Sequence, residues 1–316
     1  MTQTSILTAG IDTSKAKLDI AIDGKPERWQ VANASKGWHE LVAVLKEAGV
    51  TRIGIEATGG YERGVVRHLR AEGFVVLVLQ PMQVRAVAQL RLRRAKNDAI
   101  DAALIAACAT MIEPHELEPD ARLAELSDRL TYVEQLEEDI ARWKTRREHT
   151  PGSLRADVHA RIKALKKAAS DHLKLIMSAL RSHADLRRRF DLVHSVRGIG
   201  ERTAVAIVVR VPELGRVTRE QVAALAGLAP FDCDSGRYKG QRHIAGGRAR
   251  LRRALYAAAL PAAFRWNDAL IALYDRLKGA GKPHKAALVA CARKLLIYAN
   301  TVVARGTPWV ERSAAA

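Results

Sequence analysis

Ile6-Leu7-Thr8-Ala9-Gly10-Ile11-Asp12-Thr13-Ser14-Lys15-Ala16-Lys17-Leu18-Asp19-Ile20-Ala21-Ile22 is the stretch on which the fold turns. Ile6–Asp12 is apolar and β-prone, and Lys17–Ile22 alternates, so two strands follow one another with no room for a helix between them. Trp29–Val31 supplies a third short strand after the Asp23-Gly24 turn signal. Downstream the period changes. Gly37–Ala48 reads as a helix, Arg52–Glu56 as a strand, Gly60–Ala71 as a helix and Phe74–Leu79 as a strand. Gln83–Leu92 and Asp98–Met111 read as helices, with Asn97 a candidate N-cap for the second. Three antiparallel strands followed by βα units is the order of a ribonuclease H-like α/β fold. A doubly wound flavodoxin-like sheet is the main competitor, but it wants a helix between the first two strands.

Four carboxylates fall at informative places in that scheme. Asp12 ends the first strand and Glu56 the fourth, the latter within Ile55-Glu56-Ala57-Thr58-Gly59-Gly60-Tyr61. Asp98 and Asp101 stand three apart on a helix, so they share a face. In a ribonuclease H-like sheet the first and fourth strands are neighbours and the last helix packs beside them, so all four acids can converge. Such a set repels itself unless a cation is present. Hard oxygen ligands suit Mg²⁺ or Mn²⁺, and two such ions can stabilise both the attacking and the leaving oxygen of a phosphodiester. Read singly, Asp12 is also a turn residue and Asp98 a favourable charge at a helix N-terminus.

From Leu123 to Phe190 the only Gly or Pro is Pro151-Gly152. Leu126, Leu130, Val133, Leu136 and Ile140 recur close to heptad spacing before that break. Leu154, Val158, Ile162, Leu165, His172 or Leu173, Ile176 and Leu180 recur after it. The pattern predicts a long antiparallel helical hairpin or coiled coil, a dimerisation arm whose second helix presents Lys163, Lys166 and Lys167 to nucleic acid. Arg187-Arg188-Arg189 lies beyond its end.

The remainder reads as mainly helical. Arg197-Gly198-Ile199-Gly200 before an Ala/Val-rich helix resembles a helix-hairpin-helix, in which backbone N–H groups hold a phosphate without reading sequence. A plain interhelical turn fits the same residues. Between Ser235 and Arg253 lie seven basic residues, Arg237, Lys239, Arg242, Arg248, Arg250, Arg252 and Arg253, and no acid. A serine beside glycine among guanidinium groups can act as a nucleophile toward phosphate, although Ser235 also fits an ordinary turn and Cys233 competes for the role.

The charge balance agrees with a polyanionic partner. The 316 residues carry a formal net charge of +18, distributed as −4 over residues 1–141, +10 over 142–189 and +12 over 190–316. A basic balance of this size suits phosphate backbones. An acidic island inside a basic chain fits a metal-binding carboxylate cluster. The three cysteines form no CxxC pair, which argues against a disulfide framework and a structural zinc site. The longest apolar run, around Ala254–Phe264, is broken by Pro261, and the N-terminus shows no signal-peptide pattern, so a cytoplasmic, nucleoid-associated location without membrane contact is expected. Three regions are expected: 1–115, 116–190 and 191–316.

Taken together, GIDTSK, IEATGGYE, AKNDAIDA and LAGLAPFDCDSGRYKGQRHIAGGRARLRRALY resemble the bacterial insertion-sequence transposases of the "one-ten" family, related to Piv-type DNA invertases. The resemblance runs over nearly the whole chain. It implies a RuvC-like N-terminal domain with an Asp-Glu-Asp-Asp tetrad at Asp12, Glu56, Asp98 and Asp101, and a C-terminal domain with a nucleophilic serine at Ser235. Ala245-Gly246 stands where some relatives carry Ser-Lys. The resemblance further implies a recombinase acting on donor and target DNA, guided by an element-encoded non-coding RNA, through a 5′-phosphoserine link assisted by Mg²⁺. A dimer, or a tetramer in the synaptic complex, with one subunit's tetrad serving another's serine, is the expected assembly. A Mg²⁺-dependent junction endonuclease and a non-catalytic nucleic-acid-binding protein are the alternatives.

Overall fold

The computed structural model of this chain describes residues 7–91, 98–113, 120–231 and 243–310, with the backbone alone at 98–100 and 231. Packing gathers the chain into two compact units, Met1–Glu116 and Leu117–Ala316.

The first unit is built on a five-stranded sheet. Its elements run β1 (Thr8–Thr13), β2 (Lys17–Ile22), β3 (Arg28–Ala32), α1 (Ser35–Glu47), β4 (Arg52–Glu56), α2 (Arg63–Ala71), β5 (Val75–Leu79), α3 (Pro81–Leu90) and α4 (Asp98–Met111). The spatial order is β3-β2-β1-β4-β5, with β2 antiparallel to β1 and β3, and β4 parallel to β1 and β5. These are the order and directions of a ribonuclease H-like sheet. Alternation sorts the side chains. Ala9, Ile11, Leu18, Ile20, Ile53, Ile55 and Val76 pack with α1 and α2. Leu77 and Leu79 pack on the opposite face with α3 and α4.

Three helix starts differ from the sequence expectation: α1 begins at Ser35 rather than Gly37, and the starts of α2 and α3 shift for local reasons. α2 begins at Arg63 rather than Gly60, because the buried Glu62 carboxylate accepts hydrogen bonds from the N–H groups of Thr58 (3.2 Å) and Gly60 (2.9 Å). The residues before it are thereby held as a loop. α3 begins at Pro81 rather than Gln83, since proline suits the first helical position and the Gln83 side chain accepts from the Gln80 N–H at 2.8 Å. Asn97 lies outside the described residues.

The second unit is helical: α5 (Ala121–Glu148), a 3₁₀ turn (Gly152–Leu154), α6 (Arg155–Ser182), α7 (Ala184–His194), α8 (Glu201–Arg210) and α9 (Arg219–Leu225) come first. A short antiparallel pair, β6 (Pro230–Phe231) with β7 (His243–Ile244), precedes α10 (Ala249–Pro261), a π-helical turn (Ala262–Trp266), α11 (Asp268–Gly279) and α12 (His284–Arg305). α5 and α6 form an antiparallel hairpin. Tyr132 meets His172 at 4.9 Å between ring centroids, Arg161 lies over Trp143, and Arg147 reaches His159 near the tip. The predicted seam residues of α5 are buried, as are Val158, Ile162, Ile176 and Leu180 of α6. Leu165, His172 and Leu173 are half-buried, and Leu154 is exposed in the 3₁₀ turn. A second break, at His183, separates α6 from α7.

α5, α6 and α7 share one apolar core with α8 to α12, so the hairpin belongs to the same unit as the C-terminal helices. α8 is buried along its length and α12 crosses the core through Cys291, Leu295, Leu296 and Ala299. Among the described residues α12 is the one helix long and apolar enough to cross a membrane, and half of that apolar stretch is buried in this core.

Candidate active site

At the sheet, register places the first two acids. Ile11 of β1 pairs with Ile55 of β4, so Asp12 and Glu56, each one residue further on, stand side by side at the C-terminal ends of adjacent parallel strands. They share a face with Gly10 and Gly54, two residues back. On that face lies α4. A Cβ on Gly10 would come within 2.1 Å of the Ala102 carbonyl oxygen and 2.2 Å of the Ala106 nitrogen, and one on Gly54 within 2.6 Å of the Ala109 Cβ. Two absent side chains therefore let the helix backbone rest directly on the sheet. α4 runs antiparallel to β1 and β4, so its N-terminal end lies toward the ends that carry Asp12 and Glu56. Asp101 adjoins Ala102, and Asp98 opens the helix one turn earlier. Asp12, Glu56 and Asp101 are half-buried. The Asp98 side chain lies outside the described residues.

Replacing Gly10 with alanine is expected to lower the stability of the chain by about 3 kcal/mol, because the new methyl meets helix backbone rather than a side chain that can rotate away. Urea unfolding checks it. A variant as stable as the wild type would mean that α4 is not seated through Gly10.

The sequence reading missed the groups that shape the two loops bearing these acids. Glu62 binds the Thr58–Gly60 segment, where Gly59 and Gly60 adopt left-handed φ of 76° and 114°. Asn33 donates from Nδ2 to the carbonyls of Ser14 (2.9 Å) and Tyr61 (3.1 Å), tying the loop after β1 to the loop after β4. Its Oδ1 accepts from Trp38 Nε1 at 2.9 Å. Glu62 is legible as the last residue of IEATGGYE. Asn33 carries no motif. Asp19 sits opposite Asp12 across β1 and β2 but is engaged by Lys17 at 3.2 Å and Gln30 at 2.6 Å. The nearby Cys108 is buried, and burial, with a smaller effect of the Glu56 charge, pushes its thiol above the ordinary range.

The acids are all-oxygen donors, the chemistry of a hard divalent cation rather than of zinc or copper. Among the described residues, no three His, Cys, Asp or Glu side chains form a group ready to hold a metal ion. The full predicted set includes Asp98, whose side chain lies outside the described residues.

In the second unit, Ser235, Cys233, Arg237, Lys239 and Arg242 lie outside the described residues. The segment containing them springs from a closed base, since Phe231 pairs with His243 and Pro230 with Ile244. Behind that base Gly246-Gly247 presses against the end of α9. A Cβ on Gly247 would lie 2.1 Å from the Gly227 nitrogen, and the Arg248 N–H donates to the Leu225 carbonyl at 2.8 Å.

The other arginines of this stretch are engaged inside the chain. Arg248 holds Glu213 with two hydrogen bonds of 2.9 and 2.6 Å. Arg250 reaches Glu134 (3.1 Å) and Glu138 (3.6 Å), and Arg253 reaches Glu138 (2.9 Å). Arg252 donates to the Gly246 carbonyl at 2.6 Å. Glu134 of α5 is the centre of the network, buried and shared by Arg210 of α8 (2.6 Å), Arg250 of α10 and, at 3.9 Å, Arg202. Burial lowers the Arg210 pKa against the pull of Glu134.

Arg197 is exposed at the turn before α8. Gly198 there has a φ of 99°, and Gly200 caps α8 with open space around it. Asn267, buried as the N-cap of α11, donates to the Arg197 carbonyl at 2.8 Å and fixes this turn. Lys163, Lys166 and Lys167 are exposed on α6, and Lys167 pairs with Asp171 at 2.8 Å.

Two families match the chain. One, described as "Transposase" and of the DEDD IS110 type, covers residues 9–150, and the other, "Transposase IS116/IS110/IS902 family", covers residues 190–275. The pilin gene-inverting protein of Moraxella bovis is 24% identical over 314 residues, 96% of this chain and 97% of that protein. An insertion element IS110 uncharacterized 43.6 kDa protein of Streptomyces coelicolor is 32% identical over 120 residues, 37% of this chain and 29% of that protein. Among solved structures, T. thermophilus RuvC in complex with a Holliday junction substrate aligns with a TM-score of 0.27 and 16% identity, over 33% of this chain and 91% of that one.

Proposed function

This chain belongs to the IS110 family of transposases, and on that premise we propose that it exchanges DNA strands through a covalent link between Ser235 and a 5′-phosphate. As a member of that family it is a DNA-rearranging enzyme. The observation that carries the finer reading is the pairing of Ile11 with Ile55, which sets Asp12 beside Glu56 at the sheet end toward which the N-terminal end of α4 points.

In the first step the Ser235 hydroxyl oxygen attacks a backbone phosphorus. The phosphorus–O3′ bond breaks, the serine proton leaves to a base or solvent, and a free 3′-hydroxyl remains on the cut strand. In the second step the partner strand's 3′-hydroxyl attacks the phosphoserine. The serine–phosphorus bond breaks, serine regains a proton, and the joined strand contains as many phosphodiesters as before. No water is consumed. Asp12, Glu56, Asp98 and Asp101 are the residues that would hold Mg²⁺ or Mn²⁺, which supplies positive charge to the phosphate oxygens when bound.

Donor and target DNA are the proposed substrates, and an element-encoded RNA supplies sequence choice by base pairing, leaving the protein to hold backbones. The basic balance of residues 142–316 supports this. Lys163, Lys166, Arg197 and the segment around Arg237, Lys239 and Arg242 are the proposed contacts. Arg248, Arg250, Arg252 and Arg253 serve it indirectly, by fixing the base from which the Ser235 segment springs.

Incubating purified protein and its copurifying RNA with both DNA partners, then denaturing, tests the reading. A protein–DNA adduct whose modified residue maps to Ser235 is expected. Cut DNA with no adduct at any time would instead assign the chain a junction endonuclease activity.

A further inference from the structure

We propose that a cleft of about 610 Å³ in the second unit holds backbone phosphates of a bound nucleic acid. The proposal rests on the DNA-rearranging reading above and adds a contact surface that none of the motifs contains. The cleft opens between the first turn of α5, α7, the turn between α8 and α9, and the C-terminal end of α12. Five arginines line it, Arg122, Arg188, Arg189, Arg216 and Arg305, against two carboxylates, Asp120 and Asp185.

Both carboxylates are taken. Arg122 reaches Asp120 at 2.8 Å and Asp185 at 2.9 Å, and each acid is held below the ordinary carboxylate range chiefly by that hydrogen bond. Arg189 forms the floor. Its Nη2 donates to the carbonyls of Pro212 (2.6 Å), Leu214 (2.7 Å) and Val211 (3.3 Å), while its Nε is buried with no partner. Burial lowers the Arg189 pKa, and the positive charge of Arg216 adds to that effect against the pull of Glu213, Asp120 and Asp185.

Positive charge sits on the rim. Arg188, Arg216 and Arg305 are exposed, and among the described residues no carboxylate pairs with any of them. Among the described residues, Arg188 hydrogen-bonds only the Gly306 carbonyl, at 3.4 Å. Three guanidinium forks around a concave surface suit the oxygens of phosphodiesters. The volume lies within the roughly 300–1,000 Å³ of ligand pockets.

The test measures binding of the full chain to single-stranded DNA, single-stranded RNA and duplex DNA as salt is varied. Removing three phosphate contacts lowers the slope of log affinity against log salt by about 2 for single strands and nearly 3 for duplex. The triple variant Arg188→Ala, Arg216→Ala, Arg305→Ala is expected to show that loss with at least one of the three, and the responding strand names the source of the phosphates. Lysine at the same positions should restore most of the slope. The charge-matched variant Lys278→Ala, Lys282→Ala, Lys285→Ala, remote from the cleft, should change it by less than half as much. If the wild type binds and the alanine variant matches it in slope and affinity, the cleft proposal falls while the DNA-rearranging reading stands. A wild type that binds none of the three nucleic acids overturns both. Binding of polyglutamate that depends on these arginines, beside nucleic-acid binding that does not, would assign the cleft to an acidic protein and overturn the proposal.

Discussion

Ser235→Ala is expected to lower strand joining by roughly 10⁴-fold or more, the scale seen when an enzyme loses its covalent nucleophile. The alanine variant keeps the surrounding cations but has no oxygen with which to open the phosphodiester, so no protein–DNA adduct forms. Affinity for RNA and DNA should stay within a few-fold of the wild type, since the side chain removed is small and uncharged. Cys233, two positions earlier, should not rescue the reaction, because a thiol displaced by two residues presents its sulfur from a different point of the chain. The measurement is joined product against time, with the adduct followed on a denaturing gel. A variant that still joins strands at the normal rate would remove serine from the chemistry.

Asp12→Asn is expected to lower joining by about 10³-fold, the rate equivalent of about 4 kcal/mol of lost charge stabilisation at the phosphate. The substitution keeps the shape of the side chain, so the sheet and α4 should be undisturbed and unfolding by urea unchanged. The variant should also need more divalent cation for its residual rate. Mixing it with Ser235→Ala separates two assemblies. Recovery of activity in the mixture means that one subunit's carboxylates serve another subunit's serine. A mixture as inactive as its components means that each subunit carries a complete site. If Asp12→Asn joins strands as fast as the wild type at low Mg²⁺, the carboxylate has no part in the reaction.

Much of the first unit can be read from the chain because its signals are local. Alternation in Lys17–Ile22 and the apolar run ending at Asp12 set two adjacent strands, and Asp12 and Glu56 become neighbours once the strand order is known. What escaped reading depends on partners distant in sequence. Asn33 bridges Ser14 and Tyr61, 28 residues apart from the latter, with no pattern to mark it. Gly10 and Gly54 look like ordinary small residues in strands until a helix backbone lies on them. The seven basic residues from Arg237 to Arg253 stand in a stretch that itself contains no acid. Two of them find carboxylates on α5, Arg250 meeting Glu134 across 116 residues and Arg253 meeting Glu138. A run of like charge thus reports composition, whereas its direction is set by whatever packs against it.

The Glu134 network bears on how the protein can be dissected. A fragment beginning at residue 190 would retain Arg202, Arg210 and Arg250 but lose the one carboxylate they converge on. It would also expose the apolar surface of α8 that the hairpin covers. Guanidinium groups drawn together around a vanished anion repel one another, and leaving a buried charge unmatched costs about 3–5 kcal/mol. The C-terminal helices are therefore no independent module, and any insertion of a foreign segment belongs at the hairpin tip around Pro151 rather than at its root.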